Sequence, residues 1–255
     1  MILTIDIGNT SILLGGFDKN ELQFISRLST NLHGTSDEYA VRISEALTLY
    51  GIDKTGICGA VISSVVPPLN GEIKQALRFL FGFEPLMVGP GIKSGISIHC
   101  DMPSSVGSDL IATAVAARYL YQIPALIIDM GTATKLSVVD RHGAFIGASI
   151  IPGVRMGLNA LAEQTAQLPK IALEDPGKVI ARNTVDCMRS GVLYGNAAMI
   201  DGMIDRICEE YGQELCILAT GGMASTVIPL CKKKITLDEH LILKGLYILY
   251  QKNHG

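Results

Sequence analysis

Apolar residues open the chain as a short run, Ile2 to Ile5, interrupted only by Thr4 and halted at Asp6. That pattern predicts a strand over 2–6. Two more strand-like runs follow, Ser11 to Phe17 and Leu22 to Leu28, separated by the polar turn Asp18-Lys19-Asn20. Thr35 and Glu38 stand three apart in the capping-box pattern and start a helix. Ile43, Ala46, Leu47 and Tyr50 share one face of that helix, and Gly51 ends it. The reading continues with a buried strand over 57–62, a helix over 69–81, a strand over 85–88 and a long helix from about 104 to 121. Three consecutive strands followed by alternating elements predict a mixed sheet, unlike the all-parallel alternation of a dinucleotide-binding domain.

The pattern then begins again. Strands are predicted over 125–129, 135–139 and 144–151, the last two joined by the turn Arg141-His142-Gly143. Helices are predicted over 154–165 and 183–211, then a strand over 215–219, a short helix and a terminal helix over 238–250. Superposing IDIGNTSILLGGFD on IDMGTATKLSVVD places Asp6 over Asp129, Gly8 over Gly131 and Thr10 over Ala133, a repeat offset of 123 residues (6 to 129). An internal repeat fixes architecture before any single element does. The expectation is an α/β protein of two related βββαβα domains facing each other, 1–117 and 118–255. No Pro-, Ser- or Gly-rich linker marks the boundary.

Composition narrows the classes. Of the 255 residues, 48% are hydrophobic and 18% charged. Mean hydropathy is high at +0.36, yet no apolar run approaches the ~18 residues a membrane span needs. The opening ILTIDIG reads as a strand and not as a signal peptide, so the expected location is cytoplasmic. Net charge is −3, and the one basic run, Lys232-Lys233-Lys234, reads as a solvated turn, which speaks against a nucleic-acid partner. Six cysteines without a CxxC pair, and five scattered histidines, argue against a metal cluster and for reduced, buried thiols.

The chemistry sits in the repeated loops. Each repeat ends a buried strand on Asp and turns through Gly with small hydroxyl or amide residues. A carboxylate there is costly to desolvate unless a cation or hydrogen bonds pair with it. The backbone N–H groups of such a turn suit an oxyanion such as phosphate. One copy would read as a hairpin with an Asx-turn, whereas two equivalent copies make a clamp. No P-loop is present, and Gly89-Pro90-Gly91 with Gly95 has the wrong spacing for a dinucleotide motif.

The two DxG loops, with Ala219-Thr220-Gly221-Gly222 after a late strand, resemble the acetate and sugar kinase, Hsp70 and actin superfamily, where such loops are called phosphate 1, phosphate 2 and adenosine. The resemblance narrows to the type III pantothenate kinases and runs nearly end to end. It rests on IDIGNT, RLST, TSDEY, SSVVPPL, VGPGIKSGI, the P-x-x-VG-x-D of 103–109, DMGTAT, PGV, QTAQLP, NTVDCMRSGVLYG and LKGL. It implies two duplicated ribonuclease H-like domains with mixed sheets and an active site in the cleft between them. The implied reaction is ATP-dependent phosphorylation of pantothenate to 4'-phosphopantothenate, the first step of coenzyme A biosynthesis.

Carried over by position, the resemblance assigns the ATP phosphates to Asp6, Ile7, Gly8, Asn9, Thr10, Ser11, Ile12 and Leu13, with Thr132. Adenosine falls to Thr220, Gly221 and Gly222. Pantothenate falls to Cys100, Gly107, Ser108, Asp109, Leu110 and Thr184. Asp109 is the implied general base, and the residues agree: it follows Ser104, Ser105 and Gly107, in the first turn of a predicted helix. Its alternative role is to complement the helix dipole. Asp129 is implied to hold a monovalent cation, K⁺ or NH₄⁺, and Mg²⁺ to bridge the phosphates. A homodimer is implied as well.

Three positions depart from the family pattern. Leu110 stands where Arg is usual, Cys100 where Tyr is usual, and Lys135 where the phosphate 2 motif usually ends in Thr. The first two fall on the acid-binding side, while the ATP loops are nearly intact. Lys135 either points to solvent or reaches Asp129 and supplies the cation's charge internally. Two alternatives to pantothenate kinase stay open on these residues: a non-catalytic accessory or regulatory nucleotide-binding member of the fold, and a kinase of another small hydroxy substrate.

Overall fold

The computed structural model describes residues 1–254. The chain forms two compact units, Met1–Tyr119 together with the segment from Leu241 onward, and Leu120–His240.

In the first unit, β1 (Ile2–Ile7), β2 (Ser11–Asp18), β3 (Glu21–Ser29), β4 (Gly59–Ser64) and β5 (Leu86–Met87) form one sheet in the order β3-β2-β1-β4-β5. The hairpins β1–β2 and β2–β3 are antiparallel, and β1–β4 and β4–β5 are parallel. Period-2 alternation decides which side chains go where. Leu3, Ile5 and Ile7 face a core shared with Ile43 and Leu47 of α1 (Ser36–Leu49) and Ile73 and Leu77 of α2 (Asn70–Phe81). Asp6 alternates with them and so points to the opposite face. There Val61 packs with Ile111 and Val115 of α3 (Ser108–Leu120) and with Leu243 and Leu246 of α7 (Leu241–His254). Each such side chain contributes about 1.5–3 kcal/mol by leaving water. The predicted Thr35–Glu38 capping box is present, with Glu38 N donating to Thr35 Oγ1 at 3.3 Å and Thr35 N donating to Glu38 Oε2 at 2.9 Å.

The second unit repeats the plan. Its sheet, in the order β10-β9-β6-β7-β8, comprises β6 (Ala125–Met130), β7 (Ala133–Val139), β8 (Phe145–Pro152), β9 (Cys216–Thr220) and β10 (Thr236–Leu237). Leu126, Ile128 and Met130 face a core with Leu158 of α4 (Val154–Glu163), Val192, Leu193 and Ile200 of α5 (Thr184–Tyr211), and Val227 of the short α6 (Ala224–Val227). Asp129, between Ile128 and Met130, again points the other way. The fold is α/β with two duplicated mixed sheets.

The structure refines the sequence expectations in four places. The long helix begins at Ser108, not near 104, because Pro103–Ser105 form a separate 3₁₀ turn in which the Ser105 hydroxyl donates to Met102 O. The hairpin turn of the second repeat is one residue shorter: Gly8 N donates to Ser11 O, whereas Gly131 N donates to Ala133 O. Ala133 therefore matches Ser11, and Thr132 matches Thr10. The terminal helix, read with the second half, packs in the first unit, where Gly245 lets α7 approach α3 so closely that a Cβ would lie 1.9 Å from Ala112 O. Finally, none of the cysteines is buried: Cys58 and Cys187 are exposed and the other four are intermediate, all as free thiols.

Candidate active site

The phosphate 1 loop of the first unit is braced by the neighbouring strand. Thr30 Oγ1 donates to Gly8 O at 2.6 Å, and Thr30 N donates to Thr10 O at 3.1 Å. Arg27 Nη1 donates to Ser11 Oγ at 3.2 Å. Asn9 and Thr10 are exposed at the tip of the loop. Of the eight loop residues assigned to ATP, Ile7 and Ile12 are buried in the core. Their side chains therefore serve the core, and their part in the loop is through the backbone.

Asp6 lies opposite Ser63 of β4 and Leu13 of β2 in the sheet register. Ser63 in turn leads to the start of α3, its hydroxyl 3.0 Å from Ser108 Oγ. Ser108 Oγ also accepts from Ser64 N at 2.9 Å and donates to Ser64 O at 3.0 Å. Ser108 thus fastens the helix to the end of β4. The next residue is Asp109, nine-tenths buried in the first turn of α3. Its Oδ1 accepts from Leu110 N at 2.8 Å. The carboxylate folds back over Gly107, where a Cβ would lie 2.5 Å from Oδ1. Glycine at 107 is a steric requirement of this carboxylate's position. Leu110 is buried, and Cys100 is partly buried with its thiol held above the ordinary range by burial, then by the charge of Asp101.

In the second unit three turns converge on the end of β6. Gly131 and Thr132 make the phosphate 2 turn, with Thr132 exposed. Gly153, the N-cap of α4, packs directly on that turn: a Cβ there would lie 2.1 Å from Thr132 O and 2.8 Å from Gly131 O. The Thr220-Gly221-Gly222 turn wraps the same strand end, with Met223 N donating to Met130 O at 3.1 Å. Gly221 takes φ +94°, a left-handed conformation that favours glycine, and a Cβ on it would lie 2.7 Å from Asp129 Oδ1. Asp129 sits between that turn and Lys135, whose Nζ lies 2.8 Å from Asp129 Oδ2, both side chains being largely buried. Of the two orientations open to Lys135 in the sequence, the one reaching Asp129 is observed.

Thr184 stands exposed at the first helical position of α5, next to the N-cap Asn183, whose Oδ1 accepts from Asp186 N at 2.9 Å. Sequence reasoning missed the bracing residues Arg27, Thr30 and Gly153. The RLST and PGV strings marked their positions but not their contacts. It also missed Arg155, in the first turn of α4, whose Nε lies 3.3 Å from Met223 Sδ beside the Gly221-Gly222 turn.

Two sheets of matching order, each carrying an Asp and a glycine turn at the end of its central strand, define the fold of the acetate and sugar kinase superfamily. An activator of 2-hydroxyisocaproyl-CoA dehydratase from Clostridium difficile, solved with bound ADPNP, shares this fold at TM-score 0.59 and 14% identity, covering 99% of this chain and 96% of its own. The type III pantothenate kinase sequence model matches residues 2–206. Type III pantothenate kinases of Geotalea daltonii and Geobacter sulfurreducens are 40% and 41% identical to it over 253 residues, 99% of each chain. The chain belongs to the type III pantothenate kinase family. It is an enzyme, a kinase that phosphorylates pantothenate with ATP in coenzyme A biosynthesis.

Proposed function

We propose that Asp109 is the general base of this pantothenate kinase. The observation that carries the reading is its carboxylate: nine-tenths buried, seated over Gly107 and fixed at the start of α3 by Ser108 and the end of β4. In the reaction the pantothenate hydroxyl oxygen bonds to the γ-phosphorus, the bond from that phosphorus to the β,γ-bridging oxygen breaks, and ADP leaves. Asp109 takes the hydroxyl proton and orients the attacking oxygen. Gly107, Leu110, Cys100 and Thr184 are read as lining the pantothenate site, and Ser108 as a positioning residue because its hydroxyl is engaged with β4.

The loop from Asp6 to Leu13 and Thr132 would hold the phosphates, with Thr220, Gly221 and Gly222 at adenosine. ATP reacts with a divalent metal, Mg²⁺ on this reading. Among the described residues no group of three or more His, Cys, Asp or Glu side chains is placed to hold a metal ion. Asp6 beside Ser63 offers hard oxygen donors to an ion that would be bound chiefly through the ATP phosphates. The ion would neutralise charge developing on the phosphates. No described helix is long and apolar enough to cross a membrane. A cytoplasmic homodimer completes the reading, and sedimentation tests the dimer.

The test of function is ADP release measured with and without pantothenate. Release that requires pantothenate, with 4'-phosphopantothenate formed in equal amount, supports the reading. ADP release indifferent to pantothenate, or its absence despite ATP binding, points to another substrate or to an accessory role.

A further inference from the structure

The duplicated fold contains its own control for one residue. In the first sheet the position directly across the hairpin from Asp6 is Leu13, and in the second the position across from Asp129 is Lys135. The strand beyond contributes Ser63 in the first sheet and Thr220 in the second, so the two rows correspond. Directly opposite residues of an antiparallel pair share a face and lie close enough for side chains to meet. The second repeat therefore carries a cation built into its sheet at a place where the first carries a methyl-tipped side chain.

A monovalent cation is what the family resemblance implies at Asp129, and the residues present do not fit one. Asp129 Oδ2 is engaged by the Lys135 ammonium at 2.8 Å, with both side chains about 15% exposed. The Gly221 turn passes close to Oδ1: a Cβ built on Gly221 would come within 2.7 Å of it. A potassium ion needs several oxygen ligands around it. Here the carboxylate already has a positive partner on one side and a glycine turn passing close to the other. Potassium and a lysine ammonium carry the same charge at similar size, and the ammonium brings three donors on a tether. A tethered charge loses no translational freedom on arrival, unlike an ion from solution.

We infer that the Lys135 ammonium is the resident counter-ion of Asp129. It acts as a positioning residue that holds the Gly131-Thr132 and Thr220-Gly221-Gly222 turns in their ligand-ready arrangement without added potassium or ammonium. The inference rests on reading those turns as the phosphate and adenosine loops. It does not depend on which hydroxyl substrate is used.

Two measurements test it on the full chain. In the first, melting temperature without substrates is followed as potassium replaces tetramethylammonium at constant ionic strength. The wild type should show no potassium-specific rise. Lys135→Thr, which restores a cation's room, should gain a saturable rise of about 3 °C or more. In the second, turnover is measured across the same exchange. The wild type should be indifferent, and Lys135→Thr should depend on potassium by about tenfold or more in kcat. Lys135→Arg should stay potassium-independent.

Steep, saturable potassium activation or stabilisation of the wild type overturns the inference and needs no variant to fold. A folded Lys135→Thr indifferent to potassium in both measurements overturns it too. If the chain proved not to phosphorylate pantothenate, turnover would be missing in every buffer while the melting comparison still decided the role of Lys135.

Discussion

The carboxylate of Asp109 lies over Gly107, in the space a side chain there would take. A Cβ on Gly107 would meet Asp109 Oδ1 at 2.5 Å, and the obstacle is the carboxylate itself. A methyl group at 107 would be accommodated by moving the Asp109 carboxylate, so the placement of that acid depends on glycine two residues before it.

The first prediction separates the two. Asp109→Asn keeps the shape and removes the proton acceptor, so kcat should fall by about 10²–10⁴-fold, with ATP affinity, read by calorimetry, nearly unchanged. Gly107→Ala keeps the acid but displaces it. Turnover should fall with the pH profile altered, again without loss of ATP binding. An Asp109→Asn enzyme retaining half of wild-type turnover would remove Asp109 from the chemistry.

Gly153 tests the other unit. A methyl group there meets backbone atoms, Thr132 O at 2.1 Å and Gly131 O at 2.8 Å, which cannot swing aside as a side-chain tip can. Gly153→Ala should push the phosphate 2 turn away from α4 at a cost of about 1–3 kcal/mol of stability. The KM for ATP should rise while the KM for pantothenate stays near its wild-type value. Equal increases in both would show that the turn serves more than the nucleotide.

The sequence made the duplicated aspartates legible because each ends an apolar strand at a place where alternation flips the side chain out of the core. The partner of Asp129 was legible only as one of two orientations of Lys135. At a constant offset of 123 residues, Lys135 falls over Ile12, a core residue, and only the shorter second turn moves it into register with Leu13. One residue of turn length decides the face, as it does for any strand. Arg27, Thr30 and Gly153 escaped notice for a related reason. Their roles come from strands and helices meeting across the fold, and no local pattern carries that. Ser104 and Ser105 fall where the pattern predicts the helix to begin, but Pro103 closes its own turn around them, and Ser108 makes the junction with β4 instead.

The thiols give a prediction about reactivity and pH. Burial pushes the Cys231 thiol up to about 11 from an ordinary 9.0, with the nearby Asp201 charge adding to the shift. Thiolate is the reactive form. Under iodoacetamide at neutral pH, the exposed Cys58 and Cys187 should be modified first and Cys231 last, as followed by intact-mass and peptide mass spectrometry. The folded chain keeps the Cys231 proton to higher pH than the unfolded chain does. This group's stabilisation is therefore fully present below pH 9 and lost as pH rises from there through about 11. Cys231→Ala should flatten the decline in that window. Early labelling of Cys231 would mean that its surroundings open readily.

Leu110 tests how the acid end of pantothenate is recognised. The family's usual Arg at this position would offer the carboxylate a charge-assisted hydrogen bond, but Leu110 is buried, and so is every residue of α3 from Asp109 to Ala117. A guanidinium placed there without an anion would be costly, because a buried charge needs a partner. Leu110→Arg should therefore lower the melting temperature of the free protein by several degrees. Pantothenate should restore much of the loss and bind with a lower KM than in the wild type, whereas KM for ATP should not move. An analogue with the carboxylate converted to an amide should give neither effect. If pantothenate and its amide stabilise the variant equally, the acid is not bound beside residue 110, and another group on this chain holds it.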